Sequence, residues 1–384
     1  MTITLPVKVG LLFSETGATG KAEAALRFGA LMAIEEINEA GGIDGRELMA
    51  VCYDPCSEPF RYGQLAERLI VDDGVKVIFG CYMSSTRKVV IPVVERRNAL
   101  LFYATLYEGF EFSNNVIYSG AAPNQNSVQL ADYMTSVYGP RVYMIGSDYI
   151  YPHESNRIMS ELVLQYSGGA CVEERYVRLD AAGGDFKTIM DEIWQQRPDF
   201  IFSTVVGDAT RHLYRAYADA GFSPHEMPIA SLTTSEVEIA QMGAGVAEGH
   251  ISSSPYFQSI NTAVNRDCLR RFHQRFGGVA VPNAGWEAAY CQMHLFANAM
   301  RQCGSDDIDV LMPTLRGSQF CAPQGVVKID PHNHHTCVYP RIGRANAQGQ
   351  YTIVRESLGP VTPDPYLISH CLGNWMREST APDT

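Results

Sequence analysis

Short apolar runs alternate along the chain with segments whose apolar residues recur at helical spacing. Strands are expected over residues 7–13, 47–53, 75–81, 100–104, 141–147, 199–204 and 228–231. Helices are expected over residues 26–37, 126–137, 154–166, 209–220 and 286–303. Such alternation is typical of a parallel sheet covered by helices on both faces. The sequence therefore predicts an α/β protein.

The alternation runs through the chain twice. A first series ends near Gly120, and a second runs from Arg141 to about Gly249. The stretch "SSSPYFQSI" that follows is expected to be a loop, with more helix after it. We therefore predict two Rossmann-like, doubly wound lobes with a ligand cleft between them. Their expected ranges are 1–120 with 250–331 for the first lobe and 121–249 with 332–384 for the second.

Charge and composition exclude two classes of function. The formal net charge is -12, from 30 Lys+Arg and 42 Asp+Glu, and no basic stripe is present. An acidic chain of this kind is a poor candidate for direct contact with a nucleic-acid backbone. No apolar run approaches the ~20 residues that a membrane span needs. We expect neither direct nucleic-acid binding nor a membrane span.

Cysteines and the first residues bear on the compartment. Ten cysteines are scattered through the chain, and several, such as Cys81 and Cys291, lie inside apolar patterns. This favours reduced, buried thiols over a disulfide framework, although pairing of Cys52 with Cys56 is left open. The start "MTITLPVKVGLLF" enters a strand without a secretory pattern. We therefore expect a cytoplasmic protein; the alternative is a periplasmic or extracellular protein whose leader has been removed.

Motifs for nucleotides, metals and catalysis are weak or missing. "GATGKA" lacks the spacing and the final Ser or Thr of a phosphate loop, and no G-x-S-x-G nucleophile elbow occurs. His332, His334 and His335 lie with Cys337 too close in sequence to close a zinc tetrahedron, so a turn of hydrogen-bonding histidines is expected. No metal, cofactor or enzymatic activity is predicted.

Tyrosines and hydroxyl residues follow the expected strands. "VIFGCYMSSTRKVV" places Tyr82, Ser84 and Ser85 at a strand end and helix start, and its cations Arg87 and Lys88 are expected to point into solvent. Comparable strand ends carry Tyr103, Thr105, Tyr107, Tyr149 and Tyr151. Tyrosine supplies an apolar wall with one hydroxyl, and Ser and Thr add small donors and acceptors. Without a cation to meet a carboxylate, these turns favour a small, neutral, polar ligand.

Longer motifs resemble a known family over nearly the whole chain. The segments are "GLLFSETG", "EEINEAGGIDGREL", "GCYMSSTRKVVIPVVE", "YEGFEFSNNVIYSGAAPNQNS", "GSDYIYPHESN", "FSTVVG", "ASLTTSE" and "PDPYLISH". Together they resemble the amide- and urea-binding branch of type I periplasmic-binding-protein-like receptors. Within that branch, they are most similar to the cytoplasmic amide sensors that negatively regulate bacterial aliphatic amidase operons.

The resemblance implies a fold and a ligand site. Such receptors have two doubly wound lobes joined by three crossovers, and they close on their ligand. Matching positions imply a pocket lined by Tyr82, Ser84, Tyr103, Thr105, Tyr149 and Tyr151, with Val206 and Thr233. Ser85 joins this set from the turn described above. Ala104 and Leu106 stand where the family usually has prolines, so Leu106 is expected to reshape the wall and change the accepted ligand size.

By the same resemblance, the chain is expected to be a non-catalytic cytoplasmic sensor of short aliphatic amides, of the acetamide, propionamide or urea class. Its output would be control of amide-degradation genes through an RNA-binding antiterminator partner. The alternative is an extracytoplasmic substrate-binding protein of an ABC importer for urea or short amides. Homo-oligomerisation is left open.

Overall fold

The computed structural model describes residues 5–368 and 376–378. These residues form two compact units, each described by itself below. Unit 1 comprises the described residues up to Leu106, then Phe110–Ala121 and Thr262–Val338. Unit 2 comprises Tyr107–Gly109, Ala122–Asn261 and the described residues from Tyr339 onward.

Unit 1 starts with a doubly wound parallel sheet. Its first elements are β1 (Val7–Leu12), α1 (Gly20–Glu39), β2 (Leu48–Cys52), α2 (Pro59–Val71), β3 (Val77–Gly80), α3 (Ser84–Arg97), β4 (Leu100–Tyr103) and β5 (Val116–Tyr118). The strand order is β2-β1-β3-β4-β5, and every neighbouring pair is parallel. The order changes direction between β1 and β3. Open α/β sheets bind ligands beyond the carboxyl ends of the strands at such a point.

The first elements of unit 2 repeat this design after a 3₁₀ turn at Pro123–Gln125. They are α4 (Ser127–Val137), β6 (Arg141–Ser147), α5 (Ile150–Val163), β7 (Ala170–Val177), α6 (Lys187–Gln196), β8 (Phe200–Thr204), α7 (Ala209–Asp219), β9 (Ile229–Ser231), α8 (Glu236–Met242), α9 (Ala244–Ala247) and β10 (Ile251–Ser254). A second 3₁₀ turn, Gly183–Phe186, precedes α6. The order changes direction between β6 and β8.

The chain then returns to unit 1 and finally to unit 2. Unit 1 receives α10 (Ala263–Phe276), α11 (Ala284–Cys303), α12 (Ile308–Leu315), β11 (Gln319–Ala322), β12 (Gly325–Ile329) and β13 (Thr336–Cys337). Unit 2 receives β14 (Arg341–Ala345), β15 (Tyr351–Ser357) and β16 (Met376–Glu378). Its sheet has the order β16-β15-β14-β10-β9-β8-β6-β7, in which β14 pairs antiparallel with β10.

The burial of whole strands explains why the alternation of strands and helices could be predicted from the sequence. All residues of β3, β4 and β8 are buried, because helices cover both faces of each sheet. In unit 1, the rings of Phe79 and Phe102 stack at 4.8 Å, and Phe296 from α11 meets Phe79 edge-on at 5.6 Å. The predicted α/β class with parallel sheets is confirmed.

Two expected boundaries differ from the structure. "SSSPYFQSI" is not all loop, because Ile251–Ser254 forms β10 beside β9. Its polarity concealed it: Ser252 and Ser253 are buried, and their hydroxyls donate to the backbone carbonyls of Thr234 and Asn126. The chain passes from unit 2 to unit 1 after Asn261, whereas the sequence predicted this crossing near 250. It passes back to unit 2 after Val338, whereas the sequence predicted that crossing near 332.

Candidate functional site

In unit 1, a sharp turn places the start of α3 beyond the end of β3. Cys81 adopts a left-handed backbone with φ of 69°, and its N–H donates to the Leu12 carbonyl at 3.0 Å. Ser84 then begins α3, and its side chain is buried. The first N–H groups of a helix have no acceptor within the helix and suit a ligand oxygen. Burial raises the pKa of the Cys81 thiol well above its usual range, so this cysteine is a poor nucleophile.

The end of β4 is tied to the same turn. The Tyr103 hydroxyl donates to the Tyr82 backbone carbonyl at 2.7 Å. Since the Tyr103 hydrogen is used in this bond, its oxygen retains lone pairs for another donor. A tyrosine oxygen that acts as an acceptor therefore lies at this edge of the sheet.

Thr105 follows β4 and holds a buried hydroxyl. Its Oγ1 is shielded from solvent and has no hydrogen-bond partner in the part of the chain that the structure describes. The loop is held close to Gly120, where a Cβ would lie 2.2 Å from the Thr105 carbonyl carbon. Leu106, the next residue, is half-buried. A buried hydroxyl without a partner is costly, so Thr105 is suited to receive a polar ligand.

Arg87 corrects a sequence expectation. It was expected to point into solvent, but its side chain is fully buried, whereas Lys88 is exposed. Its Nη1 donates to Ser84 Oγ at 3.1 Å, and its Nε donates to Glu111 Oε1 at 2.8 Å. Burial alone would raise the pKa of the Glu111 carboxyl, but the Arg87 and Lys88 cations lower it, so Glu111 is ionised. Local sequence gave no signal for this pair, because the partner lies 24 residues away.

In unit 2, the two predicted tyrosines flank the start of α5. Tyr149 precedes the helix in an extended conformation, and Tyr151 lies within its first turn. Their ring centroids are 6.2 Å apart. The helix was expected to begin near 154, so the structure places Tyr151 on the helix instead of in the preceding loop. Together they line the edge beyond β6.

Hydroxyl groups join the remaining strand ends of unit 2. The Val206 N–H donates to Ser147 Oγ at 3.2 Å, which links the ends of β8 and β6. Thr233 Oγ1 donates to the Val205 carbonyl at 3.2 Å and links β9 to β8. Tyr149, Val206 and Thr233 therefore follow three strands whose ends are connected at one edge of this sheet.

A buried carboxyl lies three residues beyond Thr233. Glu236 Oε1 accepts the Gln258 N–H at 2.8 Å, and Oε2 has no hydrogen-bond partner among the described residues. Burial raises the pKa of Glu236 to about 7. The group is thus partly protonated at neutral pH and carries less than a full negative charge there.

The structure separates the predicted residues into two sets. Unit 1 brings together Tyr82, Ser84, Ser85, Tyr103, Thr105 and Leu106, and unit 2 brings together Tyr149, Tyr151, Val206 and Thr233. Each set follows the carboxyl ends of its own parallel strands, where α/β sheets hold ligands. Their contact with a ligand stays a prediction.

The histidine segment of unit 1 makes hydrogen bonds and ring contacts. Arg316 Nε donates to His334 Nε2 at 3.2 Å, and the His335 ring stacks on Tyr118 at 4.3 Å. Burial lowers the pKa of His335 to about 4, so its ring is neutral. Within the described residues, no group of three His, Cys, Asp or Glu side chains is placed to hold a metal ion. Nor does any described helix combine the length and apolar character needed to cross a membrane.

Comparison with known proteins gives relatives along most of the chain. A leucine-, isoleucine-, valine-, threonine- and alanine-binding protein of Pseudomonas aeruginosa is 23% identical over 329 residues, which cover 84% of this chain and 86% of that protein. A protein named limonene hydroxylase, from Geobacillus stearothermophilus, is 32% identical over 126 residues. That match covers 33% of this chain and only 23% of the hydroxylase's length.

Solved structures share the fold. A solute-binding protein of an ABC transporter from Rhodopseudomonas palustris HaA2, in complex with p-hydroxybenzoic acid, superposes with a TM-score of 0.84. The two sequences are 20% identical, and the match covers 95% of this chain and 100% of that one. The predicted two-lobe periplasmic-binding-protein fold is therefore confirmed.

The expected cytoplasmic location is wrong. The relatives that match along most of the chain include an amino-acid-binding protein and a solute-binding protein of an ABC transporter, which point to a place outside the cytoplasm. The cysteine argument rested on buried thiols, but Cys52 and Cys321 are exposed, and thiols that are buried, such as Cys81, are protected in any compartment. Cys52 and Cys56 do not form a disulfide, while Cys371 lies outside the described residues.

The family itself is shown by a match over almost the full length. Residues 7–371 match the model of the periplasmic binding protein domain. This range contains every described helix and every described strand except β16, together with all the predicted site residues. The chain therefore belongs to the periplasmic binding protein domain family.

Proposed function

We propose that this chain is the extracytoplasmic solute-binding protein of an ABC importer, and that its ligand is a short neutral amide or urea. The family and the transporter-type relatives support the first part. The relatives' named ligands are amino acids and an aromatic acid, all of which carry carboxyl groups. A neutral ligand therefore needs an argument from this chain's own residues.

Hydrogen-bond polarity in unit 1 carries that argument. The Tyr103 hydroxyl donates to the Tyr82 carbonyl, so its oxygen can accept from a ligand N–H. Arg87 donates to Ser84 Oγ, so the Ser84 hydrogen points away from the guanidinium, and a ligand carbonyl is the acceptor that we propose for it. One acceptor and one donor match a primary amide, which has a C=O and an NH₂. A carboxylate offers only acceptors and would face the lone pairs of Tyr103.

Thr105 and the second set complete the proposed contacts. The Thr105 hydroxyl gains a partner from either group of the amide. In unit 2, we propose contacts from Tyr149, Tyr151, Val206 and Thr233, which supply two phenol groups and no charged side chain. Leu106 limits the length of the ligand's alkyl group. No catalytic role is proposed for any of these residues.

Ligand size limits the affinity. Acetamide has only four heavy atoms, and the best small ligands gain roughly 1.5 kcal/mol per atom. The ceiling is about 6 kcal/mol, which corresponds to a dissociation constant of about 40 µM. The expected range for acetamide, propionamide or urea is therefore tens of micromolar or weaker.

Titration calorimetry tests the proposal. Acetamide, propionamide and urea are titrated alongside acetate and leucine, and binding of at least one neutral ligand but of neither acid is expected. Ser84→Ala and Tyr149→Phe should each weaken binding about fivefold or more. Tyr143→Phe is the matched control, because its hydroxyl is bonded to Glu192 within unit 2. Tight binding of acetate or leucine, or unchanged affinity in both site variants, overturns the assignment.

The partner is proposed on the same grounds. An RNA-binding antiterminator was inferred from the resemblance alone, whereas the relatives point to the membrane subunits of a transporter.

A non-catalytic role is checked by incubating the protein with acetamide and measuring ammonia. Release above the buffer rate would indicate an amidohydrolase instead of a binding protein.

A further inference from the structure

Behind the proposed ligand contacts of unit 1 lies a buried ion pair. The Arg87 side chain is 0% exposed and that of Glu111 is 13% exposed. Arg87 Nε donates to Glu111 Oε1 at 2.8 Å, and Nη2 donates to Oε2 at 3.4 Å. Tyr118 donates to Oε1 at 2.9 Å, and Lys88 donates to Oε2 at 3.0 Å. The carboxylate is thus surrounded by donors, and Arg87 is the buried one of its two cations.

Arg87 also contacts Ser84 and Tyr103, the two residues proposed to donate to and accept from the ligand. Its Nη1 donates to Ser84 Oγ at 3.1 Å. Its guanidinium carbon lies 4.7 Å from the centre of the Tyr103 ring. A full positive charge therefore lies one hydroxyl group away from any ligand atom that Ser84 contacts. Since coulombic attraction is strong where water is excluded, an uncompensated cation here would favour an anionic ligand.

We propose that the Arg87–Glu111 pair determines ligand selectivity: Arg87 positions Ser84 and Tyr103, and Glu111 cancels the Arg87 charge so that carboxylates gain nothing from it. The proposal rests on the proposed function, in which Ser84 and Tyr103 contact the ligand. Arg87 acts through those two residues and is a positioning residue. A pair with only a structural role would tie α3 to the segment that follows β4 and leave selectivity unchanged.

Glu111→Gln tests the charge directly, with acetamide and acetate as probes in titration calorimetry. The variant keeps Arg87 and removes the carboxylate charge that its guanidinium contacts. Acetate affinity should rise at least tenfold over the original protein, equivalent to about 1.4 kcal/mol, while acetamide affinity changes less than threefold. Lys88→Gln is the matched control, because it removes the exposed cation from the same carboxylate. It should change neither affinity by more than twofold.

A neutral pair tests the positioning role and covers the case in which Glu111→Gln does not fold. Arg87→Gln combined with Glu111→Gln removes both charges of this pair. Acetate binding should stay as weak as in the original protein. Acetamide should bind at least fivefold more weakly, because the Arg87 N–H that donates to Ser84 Oγ and orients its hydroxyl is lost.

The outcomes separate the two claims. If the original protein binds no amide or urea, the proposed function fails. If it binds acetamide but Glu111→Gln gains no acetate affinity, the selectivity proposal fails and the proposed function stands. Unchanged acetamide affinity in the folded double variant also overturns the positioning role.

Discussion

The Tyr103 hydroxyl donates to the Tyr82 backbone carbonyl at 2.7 Å, which joins two strand ends of the unit 1 sheet. This bond also determines whether the Tyr103 hydroxyl can donate or accept a further hydrogen bond. It uses the phenol hydrogen and leaves the Tyr103 oxygen as an acceptor. The chemical character of the edge therefore depends on a bond to the backbone, which no side-chain substitution at position 82 removes.

Tyr103→Phe should weaken acetamide binding by about three- to tenfold. It removes the proposed acceptor for the amide N–H while keeping the ring, and one such bond contributes about 0.5–1.5 kcal/mol. Calorimetry measures the effect. Tyr118→Phe removes a hydroxyl bonded to Glu111 and is the neighbouring comparison. Equal affinity for Tyr103→Phe and the original protein would remove Tyr103 from the contact set.

Thr105→Val should change stability and affinity in opposite directions. It replaces a buried hydroxyl that has no partner among the described residues with a methyl group of similar size. The ligand-free protein should gain about 1 kcal/mol in unfolding free energy, while acetamide affinity falls threefold or more. Guanidinium chloride unfolding, which avoids the proposed ligand urea, and calorimetry measure the two effects.

Thr86→Val is the matched control for that stability change. The Thr86 hydroxyl is buried and donates to the Met83 carbonyl at 2.7 Å, so its loss should destabilise the protein. A destabilising Thr105→Val would show that the Thr105 hydroxyl is satisfied without ligand.

Glu236→Gln should stabilise unit 2 at high pH only. Burial raises the pKa of Glu236 from 4.5 to about 7, so the folded state holds this proton more tightly than the unfolded state does. Stability therefore falls as pH rises from 4.5 to about 7 and stays low above that. Gln, which cannot ionise, should add roughly 2–3 kcal/mol at pH 8 and nothing at pH 4.

Thermal unfolding at pH 4 and pH 8 measures the difference. Glu248→Gln removes an exposed carboxyl from the nearby turn and should have little effect at either pH. A gain for Glu236→Gln that is the same at both pH values would contradict a charge-based cause.

Glu36→Gln should destabilise unit 1 near neutral pH. Burial opposes ionisation of Glu36, but the nearby His294 ring and hydrogen bonds from Tyr290 and Arg271 outweigh it and lower its pKa to about 2. A lowered carboxyl pKa contributes stability above 4.5 that is lost as pH falls through 2. The variant should lose roughly 2 kcal/mol at pH 7, and its difference from the original protein should shrink steadily below pH 4.

Glu35→Gln is the comparison for this acid effect. Glu35 lies on the same helix and pairs with Arg275 at 3.4 Å, but its side chain is 47% exposed. Exposed pairs contribute little, so its loss should be small at every pH. Equal losses for the two variants would assign the effect to general charge instead of the Glu36 contacts.

Sequence patterns predicted the sheets well because burial on both faces leaves continuous apolar runs, as in β3 and β8. They failed for β10, whose serines are buried but satisfied by backbone carbonyls. Periodicity records side-chain polarity, whereas the burial of a polar group depends on partners elsewhere in the chain.

The candidate site shows the same limit. Strand-end tyrosines could be named from the sequence, because helix and strand signals locate the turns. Burial of Arg87 could not, since Glu111 lies in a segment without regular structure. The acceptor character of the Tyr103 hydroxyl likewise depends on its bond to the Tyr82 backbone carbonyl, which the sequence does not reveal.

The antiparallel pairing of β10 with β14 has a consequence for biosynthesis. Ile251 pairs with Arg344, although the intervening residues 262–338 belong to unit 1. A nascent chain that has reached Ile251 leaves that edge of the unit 2 sheet without its neighbour until about ninety further residues have been made. Unit 1 waits as well, because α1 packs on α11, where a Cβ at Gly29 would lie 2.3 Å from the Trp286 carbonyl oxygen. Such long-range pairing slows folding, so both units should complete their structure only after the residues up to about Arg344 have been made.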